Sequence, residues 1–376
     1  IDENFNNDFD IGLHFYKTII SSQNKTNYVP RLTFKNLLKR ESVVKVIWNL
    51  INSSHFQAKM EWKLSFFEHL DSLEITQFFV DNLLKTISEI QQPIMLQLDK
   101  MDKYLKTDPK LFKRILKIII IKNEERIGIR LWMDFFNSHF EQLGTDIQII
   151  EEAYLQQYIL QDMFDYELTA FDKILQKDKS FLLKFITFFI ARRDFDNSHE
   201  HRNFNIIWNT IDIEEILFDV FELFAQKGNH YFILPLYLNT FFRNLNENHI
   251  VRADNFLMKY LKTGYSDPER VNLVVDIVRN TRKELFESVL LTYVSLNSNT
   301  EDFDKIYWRG GGGSYTGGVI IGDIEATEWR NILSIIEKSP LGIDLIPIKK
   351  YIIDQEFWAL KRGERERKRR FLSNDW

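Results

Sequence analysis

The sequence predicts an all-α protein: an α-solenoid of antiparallel helix pairs with a Gly-rich loop and a long C-terminal helix. Three observations carry that expectation. Apolar residues recur at spacings of three and four, the period that gathers them on one helical face. Large apolar residues abound while backbone breakers are few, with 32 Phe against 14 Gly and 7 Pro in 376 residues. A junction pattern also recurs. Lys103-Tyr104-Leu105-Lys106-Thr107-Asp108-Pro109 resembles Lys259-Tyr260-Leu261-Lys262-Thr263, which runs on to Asp267-Pro268. Lys173-Ile174-Leu175-Gln176-Lys177-Asp178 is a looser third copy. In each copy a helix ends, a polar turn follows, and an Asp stands ready to cap the next apolar helix. Helix-pair repeats of roughly 35–45 residues are the mark of such arrays. The repeats do not match the tetratricopeptide or ankyrin patterns residue by residue.

In chain order, the expected helices are 9–21, 33–41, 42–53, 56–71, 74–90, 93–106, 109–122, 129–143, 146–162, 165–176, 179–194, 203–209, 212–227, 229–243, 248–263, 268–280 and 282–297, followed by 325–338 and 347–371. The helix over 109–122 puts Leu111, Ile115, Ile118 and Ile119 on one face and Lys110, Lys113, Arg114 and Lys117 on the other. That over 212–227 gathers Ile213, Ile216, Val220, Leu223 and Phe224. Asp108-Pro109 and Asp267-Pro268 each read as an N-cap Asp followed by Pro at N1, where the missing N–H costs nothing. Strict period-two alternation is scarce, so little or no sheet is expected. The helical array is expected to occupy residues 1–300. After Trp308 the composition changes, and residues 301–376 read as a Gly-rich loop and a C-terminal helical cap.

The totals exclude several function classes. A net charge of -5 argues against a nucleic-acid-binding domain, so a nucleic-acid partner is not expected. With no cysteine there is no disulfide and no thiolate metal site, which fits a cytoplasmic location. No segment reaches the ~18 apolar residues of a membrane span, so no membrane partner is expected. The opening Ile1-Asp2-Glu3-Asn4-Phe5 is neither an initiator Met nor a signal peptide, and the chain reads as a piece of something longer.

No catalytic constellation is legible. The loop Arg309 to Gly318 holds Gly310 to Gly313, Gly317 and Gly318, and glycine lets backbone N–H groups approach a phosphate. A phosphate-binding loop also needs a Lys and a preceding strand, and both are missing here. The loop instead suits presentation to a partner, with Tyr307, Trp308, Arg309 and Tyr315 as candidate contacts, residue types enriched at binding hot spots. His199-Glu200-His201 places two imidazoles at i, i+2 rather than the i, i+4 of a helical zinc site, so a solvated loop is preferred and no metal is expected. Glu124-Glu125, Glu151-Glu152 and Glu214-Glu215 suit helix first turns better than acid/base work. The run 361–370, with seven cations and two anions, reads as a solvated helix end. The Phe pairs Phe66-Phe67, Phe78-Phe79, Phe135-Phe136, Phe188-Phe189 and Phe241-Phe242 read as inter-helix core, each pair able to serve two neighbours. No cofactor is expected in this chain.

Three stretches carry a family resemblance. They are Phe303-Asp304-Lys305-Ile306-Tyr307-Trp308-Arg309, Ile320-Ile321-Gly322-Asp323-Ile324-Glu325-Ala326-Thr327-Glu328-Trp329 and Ile346-Pro347-Ile348-Lys349-Lys350-Tyr351, with the tail Glu366-Arg367-Lys368-Arg369-Arg370-Phe371-Leu372. Together they resemble C-terminal regions of large bacterial STAND-type NTPases, a group that includes the antiviral Avs proteins. The resemblance implies a helical-repeat region that senses a foreign protein, such as a phage protein, and triggers oligomerisation through domains outside this chain. The alternative is a scaffold or adaptor with host partners only. On either reading the Gly-rich loop is an excursion from the array. Deleting Gly311 to Gly317 is expected to leave the melting temperature almost unchanged; a large drop in a thermal melt would show the loop to be structural.

Overall fold

With so few glycines and prolines to interrupt it, the backbone can close i to i+4 hydrogen bonds over long stretches, and the computed structural model is mostly helical. It describes residues 9–21, 38, 41–53, 59–96, 98–132, 146–161, 164–192, 203–227, 233–309, 319–339 and 345–373. The chain divides into two units, Ile1–Asp178 and Lys179–Trp376. Residues 301–376 fall in the second unit, where Trp308 meets Tyr293 of the helices before it edge-on.

The first unit runs α1 (Phe9–Ser21), α2 (Glu41–Ser53), α3 (Lys59–His69), α4 (Gln77–Ser88), β1 (Ile94–Leu96), a 3-10 helix (Leu98–Lys106), α5 (Leu111–Glu124), β2 (Ile129–Leu131), α6 (Ile147–Leu160) and α7 (Thr169–Lys177). Each α-helix packs on the next, and α3 also meets the 3-10 helix. The buried Phe66-Phe67 pair shows how. Both rings contact Trp48 of α2, at 5.2 and 5.0 Å between centroids. Phe66 then reaches Phe79 of α4, and Phe67 reaches Tyr104, whose hydroxyl donates to the Phe67 carbonyl at 3.0 Å. One adjacent pair thus serves two neighbours, as the sequence suggested. Phe78-Phe79 departs from that pattern, because Phe78 is exposed.

Two expected helices are corrected. Residues 94–96 and 129–131 form a two-stranded parallel sheet, with Ile94 opposite Ile129 and Leu96 opposite Leu131. The segment after β1 is a 3-10 helix, and the rest of 129–143 lies mostly outside the described residues. Two local causes are visible. Pro93 lacks an N–H and favours extended backbone before it, and Gly128 takes φ +78°, a conformation that suits glycine, with Pro93 against it. Side-chain amides then satisfy β2. Asn123 bridges the Ile129 N–H and carbonyl at 2.7 and 3.0 Å. Gln157, fully buried, accepts from the Leu131 N–H at 2.8 Å and donates to the Ile129 carbonyl at 2.9 Å. Without those amides the buried strand would hold unsatisfied polar groups. Further on, the buried Asp165 carboxylate accepts from the Ala170 and Phe171 N–H groups at the start of α7 and from the Tyr154 hydroxyl. Burial pushes its pKa up, against those three hydrogen bonds.

The second unit runs α8 (Phe181–Arg192), a 3-10 helix (Phe204–Asn209), α9 (Ile213–Lys227), α10 (Ile233–Phe242), α11 (Glu247–Gly264), α12 (Pro268–Thr281), a 3-10 turn (Lys283–Leu285), α13 (Phe286–Leu296), α14 (Thr300–Asp304), α15 (Ile321–Lys338) and α16 (Ile346–Ser373). Here α8 packs on α9, α11 on α12, α12 on α13 and α15 on α16, and other contacts skip an element: α10 on α12, α11 on α13, α13 on α15, α14 on α16. The Asp267-Pro268 cap forms as read, with Asp267 accepting from Glu269 N–H at 3.0 Å and Pro268 at N1. At Asp108-Pro109 the carboxylate accepts from the Lys110 N–H at 3.0 Å, but residues 109–110 make a turn and α5 opens at Leu111. All three copies of the junction pattern lie where one helical segment ends and the next begins.

A regularity runs through both units. Hydrogen bonds and ion pairs between elements repeatedly join residues 33 to 39 positions apart: Lys103 to Glu68, Tyr104 to Phe67, Arg114 to Asp81, Gln156 to Ile120, Asn205 to Asn244, Trp208 to Phe241, Asn239 to Asp276, Arg252 to Glu214 and Asn272 to Lys305. Three of these donors, Asn205, Asn239 and Asn272, are themselves about 33 positions apart and each reaches an acceptor later in the chain.

α15 and α16 approach closely at Gly322 and Gly363. A Cβ on Gly322 would be driven into the Gly363 backbone nitrogen and the Ala359 carbonyl oxygen, and a Cβ on Gly363 would stand 2.7 Å from Asp323 Oδ1. In an exposed helix interior Gly→Ala is stabilising by ~1 kcal/mol. Here Gly322→Ala is expected to destabilise by about 1–3 kcal/mol through overpacking. Gly363→Ala should cost less, since it meets a side-chain carboxylate that can turn away. Denaturant unfolding of the two variants checks both the sign and the order.

Candidate partner-binding surface

The residues singled out around the Gly-rich loop have very different environments. Trp308 is 1% exposed. Its indole stacks on Phe303 at 5.1 Å, meets Tyr293 edge-on at 5.1 Å, and donates from Nε1 to the Phe303 carbonyl at 3.2 Å. The Trp308 carbonyl accepts from Arg279. This side chain is a core anchor, which corrects its reading as a contact: its apolar ring is worth more inside than at the surface. Tyr307 is held by its backbone, whose N–H donates to Asn272 Oδ1 at 2.8 Å, and its side chain is 59% exposed. Arg309 pairs with Glu325 at 3.0 Å and lies over the Trp329 ring, 5.3 Å from its centroid. Tyr315 and the glycines Gly310 to Gly313, Gly317 and Gly318 lie outside the described residues.

The described residues around the loop sequence are tied to one another. Arg279 pairs with Glu328 at 3.0 Å, and its guanidinium stands 4.9 Å from the Phe286 ring; burial pulls its pKa down against that carboxylate. Tyr351 of α16 meets both Phe303 and Trp329 edge-on, donates to Asp304, and has its pKa raised by burial. Glu325 is shared, accepting from Arg362 as well as Arg309 at 3.0 Å.

Other candidates resolve into structural roles. Of the Lys/Arg face on α5, Lys113 pairs with Asp146, and Arg114 pairs with Asp81 and Asp108. Those two charges are spent within the chain, while Lys110 and Lys117 are exposed. In the tail, Arg362 and Arg367 turn inward to Glu325 and Asp323 on α15. Glu214 takes Arg252 in a two-pronged pair at 2.8 Å on each oxygen, and Glu215 takes Lys179 at 2.6 Å, so this carboxylate pair splits between two cations. Among the described residues no three His, Asp or Glu side chains form a cluster fit for a metal ion. His199, Glu200 and His201 lie outside those residues.

The sequence reading missed one surface. On α16, Ile353, Phe357, Trp358 and Leu360 are 51%, 52%, 61% and 38% exposed. Ile353, Phe357 and Leu360 stand at i, i+4 and i+7, on one face. The opposite face, Ile348, Ile352, Ala359 and Gly363, is buried. The signal was available as a helix with two apolar faces, one more than packing against α15 can cover.

Compared with family models, with curated proteins and with solved structures, the chain matches none. No described helix is long and apolar enough to cross a membrane.

Trp308→Ala is expected to cost about 3–5 kcal/mol, the range for emptying a core aromatic site. Tyr307→Ala should shift stability by no more than about 1 kcal/mol. Chemical denaturation of the two single variants tests the contrast. Equal, small effects would return Trp308 to the surface.

Proposed function

We propose that this chain is a protein-binding α-solenoid of antiparallel helix pairs, acting as the sensing region of a bacterial antiphage STAND-type NTPase. The observation that carries the repeat part is the recurrence of inter-element bonds at 33 to 39 residues, the spacing at which each helix pair of an array would meet the next. A solenoid offers an extended surface for a single protein partner, and it needs neither a cofactor nor a catalytic cluster to use it. The defence assignment is supported by the resemblance across Phe303 to Arg309, Ile320 to Trp329 and Ile346 to Tyr351. On this reading the chain works in the bacterial cytoplasm. Any NTPase or effector activity belongs to domains outside it, and a foreign protein docked on the array is what those domains respond to.

The test is affinity capture with this chain as bait, from bacterial lysates with and without phage infection, read by mass spectrometry. The expected result is a stoichiometric phage protein present only after infection. Capture of host proteins alone, equal in both lysates, would replace the sensor by a scaffold or adaptor.

A further inference from the structure

We infer that the outer face of α16 is a docking ridge for an acidic amphipathic helix of a partner protein. The inference rests on the reading of the chain as protein-binding and gives that reading a place and a chemistry. The apolar half of the ridge is Ile353, Phe357 and Leu360 with Trp358 beside them, all at least 38% exposed. Phe357 and Trp358 meet edge-on at 5.6 Å, which presents two aromatic surfaces at once. Such residues lose little side-chain freedom on binding and dominate hot spots.

The charged half selects the occupant. Arg362 and Arg367 are spent on Glu325, Glu366 and Asp323. Arg365, Lys368 and Arg369 have no acidic partner among the described residues and are exposed. Lys361 lies over the Phe357 ring, 5.6 Å from its centroid, and its nearest carboxylate, Glu364, is at 3.8 Å. Trp358, Arg365 and Arg369 fall at i, i+7 and i+11, one row of the helix; Phe357, Lys361 and Lys368 fall at i, i+4 and i+11, along a second that also carries Glu364. Each row thus passes from apolar to cationic toward the C-terminus. A helix laid along this ridge matches it when apolar residues cover 353–360 and carboxylates cover 361–369.

The same charges argue against a second copy of this chain. Two such ridges laid antiparallel would set Arg365, Lys368 and Arg369 of one beside Lys349 and Lys350 of the other, and parallel ones would set the cationic ends side by side. A bilayer is also a poorer match. A helix lying on a membrane carries cations along both flanks of an apolar stripe, whereas here one flank is occupied by α15, the exposed face also carries Asp354 and Glu364, and the exposed cations lie beyond the ends of the apolar stripe, Lys350 at one and Arg365, Lys368 and Arg369 at the other.

The test uses the full chain and two fluorescein-labelled synthetic peptides, read by fluorescence anisotropy. Both carry apolar residues at i, i+3, i+4 and i+7; one has glutamate and the other lysine at its remaining positions. The expected result is at least about tenfold tighter binding of the glutamate peptide. Phe357→Ser with Trp358→Ser should weaken it by about tenfold or more, and Arg365→Glu with Lys368→Glu should reverse the preference. These positions are exposed, so an unchanged circular-dichroism melt certifies that the variants fold. Equal binding of both peptides, no binding of either, or unchanged binding in the folded variants overturns the inference. So does co-sedimentation with phosphatidylserine vesicles in preference to the glutamate peptide, or concentration-dependent dimerisation that the Phe357/Trp358 variant loses. The lysate capture separates the two readings: a specific protein retained equally by wild type and the Phe357/Trp358 variant ends the ridge and leaves protein binding standing.

Discussion

A buried aromatic ring that also donates a hydrogen bond to the backbone is the joint on which these helices are assembled. Tyr104 donates to the Phe67 carbonyl and Trp208 to the Phe241 carbonyl, across 37 and 33 residues. Trp308 makes the same bond over a shorter span, to Phe303. The physics explains why this residue type recurs. A short amphipathic helix is marginal alone and is stabilised mainly by packing. A ring supplies the buried area, and its one polar atom finds a carbonyl there rather than being left unsatisfied. Where the acceptor lies 33 or 37 residues away, as for Trp208 and Tyr104, the joint fixes the register of two elements as well as their contact.

Other features follow from that register. The adjacent pair Phe241-Phe242 splits as Phe66-Phe67 does, with Phe241 toward Phe204 and Phe242 toward Trp208 and Phe221. Asn205, Asn239 and Asn272 sit near the same joints and convert aromatic burial into directional bonds. Asn272 does so in both directions, donating to the Lys305 carbonyl and accepting from the Tyr307 N–H. The base of the Gly-rich loop is thereby the next step of the same ladder, which is why Trp308 is committed to the core although its neighbour in sequence is exposed.

Periodicity made most helices legible, because a one-sided helix writes its buried face into the spacing of its apolar residues. The Asp267-Pro268 cap was equally plain, since it depends on two adjacent residues alone. The parallel strands were not legible. Three-residue segments are too short to show a period, and two of the three side chains that satisfy β2, Gln157 and Gln161, lie about thirty residues further along. Trp308 was misread for a related reason. Tryptophan is favoured both in cores and at interfaces, and only the placement of Tyr293 and Phe303 around it decides between them. On α16, seven cations drew attention away from the apolar row immediately before them.

The C-terminal helix pair shows how strength and direction are divided. Surface ion pairs are worth little individually, so the links from Arg362 and Arg367 to α15 orient the helix more than they hold it. Holding falls to the close approach at Gly322 and Gly363 and to the buried side chains of Trp329, Ile332, Ile336, Ile348 and Ile352. A helix held on one side by sterics and apolar burial presents its other side in a fixed orientation. Its remaining cations need not be recruited for folding, and a partner meeting that face would find the aromatic pair and the charges already in place.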